Sequence, residues 1–132
     1  VKNSKSLIGL ETAEYQAALL FGDDLQKQKK ALLKSVREGD KNKIRVRQLK
    51  TYYLSQNVDK LTGFFKVQDE ETKEFMTELL KNRNNRWLEQ LPTLMQKQSL
   101  FIAVGAGHLF GTDGLIKGLQ AKNYTVKPIA TN

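Results

Sequence analysis

A glycine-rich segment with a single histidine constrains the fold of this chain more than any other feature. Residues 104–115 contain His108, the only histidine among the 132 residues, and four glycines surround it: Gly105, Gly107, Gly111 and Gly114. An apolar run at 100–104 precedes the glycines, and a helical pattern follows at 113–122. Glycine permits positive φ angles and close approach of a ligand, and imidazole can bind a metal or move a proton near neutral pH. The segment therefore predicts a strand-to-helix turn that carries a functional site.

Three apolar segments predict short strands at residues 6–10, 99–104 and 124–129. The second and third are joined by the predicted helix at 113–122, and a strand, helix and strand at this spacing form a right-handed crossover with a parallel pair. Pro128 favours a sheet edge for the last strand. The sequence thus predicts a helix-rich α/β fold with a short, partly parallel sheet, a C-terminal strand–helix–strand unit and a helical insertion at about 23–98.

Helical patterns fill the region between the first two predicted strands. They predict helices at 13–21, 23–38, 42–56 and from 69 past Trp87, with a short helix or a turn at 58–66. Thr12 is a suitable N-cap for the first helix and Gly22 can end it, whereas Gly39 should end the second and Pro92 should interrupt the last. The apolar positions expected to face inward in the second and third helices are Leu25, Leu32, Leu33, Val36, Ile44, Leu49, Tyr52 and Tyr53.

Composition narrows the class of protein. The length suits one domain, no apolar run approaches the roughly 18–20 residues of a membrane span, and the lack of cysteine excludes disulfides and thiol chemistry. The net charge of +8 is concentrated in residues 26–50, where ten Lys or Arg face two acids. Such a segment could meet nucleic acid or an anionic surface, although solvated helix faces explain it more simply and make a nucleic-acid partner the lesser hypothesis.

Two polar side chains follow the predicted strands directly. Glu11 comes after the apolar run that ends at Leu10, and His108 lies four residues past Val104. Ligands collect beyond the carboxyl ends of parallel strands, so Glu11 and His108 should converge if these strands are neighbours. A carboxylate and a neutral imidazole suit a divalent ion that activates water. Two structural alternatives stay open. In one, His108 only hydrogen-bonds backbone in its turn, and in the other, Glu11 only stabilises the first turn of a helix.

The sequence gives less support to a dinucleotide-binding site or to a Ser-His-Asp triad. The segment Gly105-Ala106-Gly107 resembles the start of a dinucleotide fingerprint, but Phe110 occupies the place of its third glycine and the expected acid is missing. We therefore expect no nucleotide cofactor. A Ser-His-Asp triad lacks the G-x-S-x-G turn that would mark its nucleophile.

Three motifs in order resemble the C-terminal half of the TraB/GumN domain, a bacterial family related to the Tiki metalloproteases. They are Gly9-Leu10-Glu11-Thr12 with Gln16, then Arg83-Asn84-x-x-Trp87, then Gly105-Ala106-Gly107-His108 with Gly111 and Gly114. The resemblance implies a site of two G-x-x-H motifs and a glutamate that binds a divalent metal, such as Mn, Co or Zn, for peptide-bond hydrolysis. It makes Glu11, His108 and Arg83 the catalytic residues and Glu11 and His108 the metal ligands, with Arg83 as a polar residue of the same cleft. A structural role for Arg83 stays open, and Trp87 is expected in the core rather than in the site.

The resemblance also implies what should complete this site. The first G-x-x-H should precede Glu11 by many residues, so we expect one ligand to lie in an N-terminal half outside this chain, and the isolated chain to have little activity. Val1 is then interpreted as a cut point. A peptide or protein substrate and that missing half are the implied partners, and a periplasmic or exported location is implied by the relatives. The alternatives are a non-catalytic peptide-binding or pheromone-inhibition module and nucleic-acid binding through residues 26–50.

Overall fold

The architecture is known from a computed structural model, which describes residues 5–22, 24–66 and 70–129. Sequence-based predictions that involve Val1, Asp23, Asp69 or residues 130–132 lie outside the described residues at those positions. The helices are α1 (Ala13–Phe21), α2 (Leu25–Arg37), α3 (Gly39–Leu54), α4 (Val58–Phe64), α5 (Glu70–Met76), α6 (Arg83–Lys97) and α7 (Leu115–Ala121). A π-helical segment, Thr77–Asn82, joins α5 to α6, and a 3₁₀ turn spans Ala106–His108.

The predicted α/β fold is wrong for the part of the chain that the structure describes, which contains helices and no strand. Residues 6–10, 99–104 and 124–129 are non-helical but do not pair into a sheet. An isolated strand is not stable, because its backbone groups need a neighbouring ladder and its apolar face needs a partner. Leu7 and Phe101 accordingly remain 99% and 96% exposed, whereas Leu10 and Val104 pack on the helical core.

The predicted cap at Thr12 and stop at Gly22 of the first helix are confirmed. The prediction that Gly39 ends the second helix is confirmed only in part. The Thr12 hydroxyl accepts a hydrogen bond from the Tyr15 N–H at 3.1 Å, and the Gly22 N–H donates to the Ala18 carbonyl at 2.8 Å. The second helix ends at Arg37, close to the expected stop. Gly39, however, begins α3 directly, three residues before the predicted start, so that one residue separates the two helices.

Pro92 does not interrupt α6, contrary to the prediction, and lies inside the helix. An internal proline removes one backbone hydrogen bond and crowds the preceding turn. Its neighbour Leu91 is 1% exposed, and Leu88 one turn earlier is 8% exposed. Burial of such side chains contributes roughly 1.5–3 kcal/mol each, which offsets the cost of a proline of about 3 kcal/mol.

The core is small and lies where α7 packs on α6. Its buried members are Trp87, Leu88, Leu91 and Leu115, and the partly buried Leu10, Met95, Val104 and Leu119 pack against them. A Cβ at Gly118 would lie 2.2 Å from Leu88 Cδ1, so the absent side chain lets α7 approach α6 closely. The predicted core position of Trp87 is confirmed, since its side chain is 4% exposed.

The predicted inward face is wrong for α2 and holds only in part for α3, and neither helix contains a fully buried residue. Leu49 and Tyr52 of α3 are partly buried, and the Tyr52 ring lies edge-on to Phe64 of α4 with the centroids 6.5 Å apart. Ile44 and Tyr53 are 56% and 60% exposed, and the leucines of α2 are exposed as well, because no described element covers these positions. The total accessible surface of 11002 Å² exceeds the roughly 7,000 Å² expected for a compact chain of this mass. Among the described helices, none combines the length and apolarity needed to cross a bilayer.

We predict that Gly114→Ala destabilises the fold whereas Gly63→Ala does not. A Cβ at Gly114 would lie 2.5 Å from the backbone oxygens of Leu109 and Phe110, which cannot move away as a side-chain tip can. We expect a loss of about 1–3 kcal/mol in the free energy of unfolding, as for overpacking. Gly63 is an exposed helical glycine with open space at its Cβ position, and alanine there should add about 0.5–1 kcal/mol. Urea unfolding of both variants measures the difference, and equal stabilities would contradict the prediction.

Candidate functional site

The amino-terminal half of α6 places two polar side chains on the face that forms the core. Positions 83, 84, 87, 88 and 91 share this face because they repeat at helical spacing. Arg83 and Asn84 are the polar members and are 9% and 1% exposed. The π-helical segment ends directly before Arg83, and such irregular turns are frequent at functional sites.

Arg83 forms a two-point ion pair with Glu11, 72 positions away in the sequence. Its Nε lies 3.0 Å from Glu11 Oε2 and its Nη2 lies 2.5 Å from Oε1. The Gln16 amide donates to Oε1 at 2.7 Å, and Arg83 Nη1 donates to the Leu79 carbonyl at 3.0 Å. Both charged side chains are only about one-tenth exposed, at 10% and 11%. Bidentate pairing of this kind fixes the carboxylate in position as well as in charge.

The Glu11 carboxylate is held ionised. Burial acts to raise its pKa, but the hydrogen bonds from Arg83 and Gln16 and the positive charge of Arg83 outweigh burial and leave the pKa below its usual value. Three of the roughly four lone-pair positions of a carboxylate are occupied by these donors, which leaves one on Oε2. Glu11 therefore combines a full negative charge with one remaining acceptor position.

Asn84 connects α6 to the turn that contains His108. Its Nδ2 donates to the His108 carbonyl at 3.1 Å and to the Asp113 carbonyl at 2.8 Å. Both amide hydrogens are thus used, and the amide orientation follows from its two acceptors. The remaining oxygen, Oδ1, lies 2.8 Å from His108 Nδ1. Because an amide oxygen can only accept, Nδ1 must carry the proton.

This tautomer gives His108 a defined reactive atom. With the proton on Nδ1, the lone pair of the ring is on Nε2. A hydrogen bond from the second ring nitrogen to an oxygen is the arrangement that fixes histidine ligands of metals. His108 is 6% exposed, and its backbone N–H donates to the Gly105 carbonyl at 2.9 Å within the 3₁₀ turn.

The imidazole of His108 is neutral at physiological pH. Burial and then the positive charge of Arg83 lower its pKa, the negative charge of Glu11 opposes them, and the net pKa is about 4. Arg83 therefore holds two groups in their deprotonated forms, the carboxylate by attraction and the imidazole by repulsion. Deprotonated carboxylate and neutral imidazole are the forms that bind metal ions or accept protons.

The indole ring of Trp87 contacts both His108 and Arg83. Its ring centroid is 4.5 Å from that of His108, and the Arg83 guanidinium carbon is 5.0 Å from the same indole. Within the described residues, the indole N–H is buried without a hydrogen-bond partner, an arrangement that costs about 1–3 kcal/mol. The cluster is thus an aromatic ring with one cation and one neutral base against it.

The four turn glycines have different roles in the structure. Gly111 has a φ of +84°, in the left-handed region that favours glycine. Gly107 lies against Phe65, whose ring would be 3.4 Å from an added Cβ, and Gly114 is buried at the start of α7. Gly105 begins the 3₁₀ turn with a φ of −62°, which other residues also adopt. Only one of the four therefore uses a positive φ.

The structure brings Glu11 and Arg83 into direct contact and joins His108 to them through α6. The contacts of the described residues link His108 to Asn84 and Trp87, whereas its interaction with Glu11 is electrostatic. Glu11 and His108 thus share one cluster without the parallel strands expected to bring them together. Asn84 was not predicted as a site residue, although its position next to Arg83 in the Arg83-Asn84-x-x-Trp87 motif places it on the same helix face. Across the described ranges, no group of three or more acidic, histidine or cysteine side chains could hold a metal ion.

Comparison with known proteins gives one match. The model of the TraB/PrgY/gumN family matches residues 1–128, which is nearly the whole chain. The curated proteins and the solved structures contain no match.

We predict that the single histidine titrates far below its ordinary pKa. In an NMR titration, the C2 proton of His108 should show a midpoint near pH 4 instead of 6.5. Arg83→Met should raise this pKa because it removes a positive charge, whereas Arg86→Met, on the exposed side of the same helix, should change it little. A wild-type midpoint near 6.5 would contradict the buried, neutral imidazole.

The same shift predicts how stability depends on pH. Between about pH 4 and 6.5 the unfolded chain binds a proton at His108 that the folded chain does not. The contribution of His108 to the free energy of unfolding is therefore complete above pH 6.5 and is lost as the pH falls toward 4. The slope is about 1.4 kcal/mol per pH unit at most. Glu11, whose pKa is also lowered in the folded state, changes stability in the same direction. Denaturant unfolding at several pH values should show a smaller slope in His108→Ala.

We predict that Asn84→Leu is strongly destabilising and that Asn85→Leu is not. Leucine at position 84 would leave the carbonyls of His108 and Asp113 without the amide hydrogens that they accept, and the buried His108 carbonyl alone should cost about 1–3 kcal/mol. Asn85 is exposed on the same helix and serves as the matched control. Urea unfolding measures both, and similar midpoints for the two variants would show that Asn84 does not anchor the turn.

Proposed function

The chain belongs to the TraB/PrgY/gumN family, and from this premise we propose that it contributes Glu11 and His108 to the site of a metal-dependent hydrolase that cleaves peptide bonds. The observation that carries the proposal is the Nε2 lone pair of His108, which the Asn84 oxygen fixes by binding the proton on Nδ1. A buried neutral imidazole beside an ionised carboxylate matches the donor types of catalytic divalent-metal sites.

The donor set fits a divalent ion in type but supplies two ligands. His108 offers Nε2, and Glu11 offers the acceptor position that remains on Oε2. Catalytic zinc sites take three protein ligands and leave a position open. The resemblance implies that the other G-x-x-H motif of the family supplies the third ligand. A bound ion would polarise the scissile carbonyl and supply hydroxide at neutral pH.

Each neighbouring residue has a definite task in this proposal. Asn84 fixes the tautomer and the direction of the His108 ring. Arg83 orients the Glu11 carboxylate and keeps it ionised, with assistance from Gln16. These are positioning roles, since Arg83 and Asn84 act through Glu11 and His108.

One observation favours a second candidate function, a peptide-binding module without catalysis. Arg83 engages both carboxylate oxygens of Glu11, an arrangement that also suits a purely structural ion pair. In that case Glu11 would hold the segment before α1 against α6, and the surface around this cluster would bind a peptide without a metal.

Metal titration of the chain tests the first proposal without relying on activity. We predict that Co²⁺ or Mn²⁺ binds weakly in calorimetry, as expected for two ligands, and that His108→Ala weakens binding at least tenfold. Glu11→Gln should weaken it similarly because it removes the charged donor. The matched control is Glu89→Gln, which makes the same change at an exposed position of α6.

The results of these titrations distinguish the metal-dependent hydrolase from the peptide-binding module. Metal affinity that is equal in wild type, Glu11→Gln and His108→Ala would overturn the metal-site proposal. Peptide binding that survives both substitutions and does not depend on metal would instead support the module. A cobalt absorption band that is lost in His108→Ala and retained in Glu89→Gln would identify the imidazole as a ligand.

A further inference from the structure

Helix α2 presents an apolar stripe to solvent. The side chains of Leu25, Leu32 and Val36 are 79%, 65% and 71% exposed, and that of Leu33 is 45% exposed. At about 100° per residue these four lie within an arc of about 100° on the helix. No residue of α2 is buried, so the stripe is unused by the described fold.

The rest of α2 is cationic. Residues 25–37 contain five basic side chains and no acid: Lys27, Lys29, Lys30, Lys34 and Arg37. Four of the five lie on the side away from the apolar stripe. Lys29 lies within it, where the long methylene stem of a lysine can cover apolar surface while its amine reaches water.

We propose that α2 binds the surface of an anionic lipid bilayer, with its leucine stripe inserted at the level of the headgroups and its cations near the lipid phosphates. A helix with a narrow apolar face, a strongly basic polar face and low overall hydropathy has the composition of an interfacial helix. Phe21, at the end of α1 and four residues before Leu25 in the sequence, is 75% exposed and offers a further apolar ring to such a surface.

The same observations argue against a second copy of the chain and against nucleic acid as the partner of α2. A second copy would bring five like charges against five, and no acidic side chain of α2 could pair with them. Nucleic acid would engage the cations through its phosphates, but four exposed aliphatic side chains would gain no burial there. An anionic bilayer offers phosphates to the cations of α2 and an apolar layer to its leucine stripe at the same time.

Vesicle sedimentation of the chain tests the proposal. We expect binding to phosphatidylcholine–phosphatidylglycerol vesicles and little binding to phosphatidylcholine alone. Leu32→Ser should weaken binding roughly tenfold, from the lost burial of a leucine. Each of Lys30→Gln and Lys34→Gln should weaken it about fivefold, and added salt should weaken it further.

Leu7→Ser is the matched control, since Leu7 is 99% exposed and lies outside α2; circular dichroism of each variant checks that the helices are retained. Equal loss in Leu7→Ser and Leu32→Ser, or no binding to anionic vesicles at low salt, would overturn the proposal. Binding to duplex DNA that is unaffected by Leu32→Ser, without vesicle binding, would favour nucleic acid. A dimer that Leu32→Ser dissociates, again without vesicle binding, would favour a second copy.

Discussion

The side chain of Asn84 sets the geometry on which the candidate site depends. It is 1% exposed and uses its amide hydrogens and its oxygen in three bonds to the turn that carries His108. Those bonds hold the turn against α6, satisfy the carbonyls of His108 and Asp113, and select one tautomer of the imidazole. A buried polar network of this kind is stabilising only when each member is satisfied, so packing and site chemistry rely on the same amide.

Local signals in the sequence predicted local structure well. The cap at Thr12, the end of α1 at Gly22 and the burial of Trp87 depend on contacts within one helix or on a strongly apolar ring. The cluster of Glu11, Arg83 and His108 was anticipated from motifs, but its connection through Asn84 was not. An asparagine beside an arginine has no distinctive spacing, and its role becomes visible only when two carbonyls from another segment face it.

The wrong predictions of strands and of inward helix faces share one physical cause, which is the absence of a partner surface. Residues 6–10 and 99–104 have the composition of strands, yet no described segment pairs with their backbones. Ile44 and Tyr53 have helical spacing, yet no described layer covers them. Pro92 shows the opposite effect, because contacts around Leu88 and Leu91 retain a helix that local chemistry would interrupt. Periodicity reports which residues can share a face, and tertiary contacts decide whether that face is used.

Arg83 imposes opposing effects on any cation at this site. Its charge keeps Glu11 and His108 in the forms that bind a metal, but it also repels the metal itself. A divalent ion at the proposed site would be repelled by Arg83 twice as strongly as a monovalent ion at the same distance. The Glu11 carboxylate would attract the ion, although both of its oxygens already accept hydrogen bonds from Arg83. Under this proposal the imidazole nitrogen of His108 and a further ligand would add the affinity that a carboxylate so paired does not supply alone.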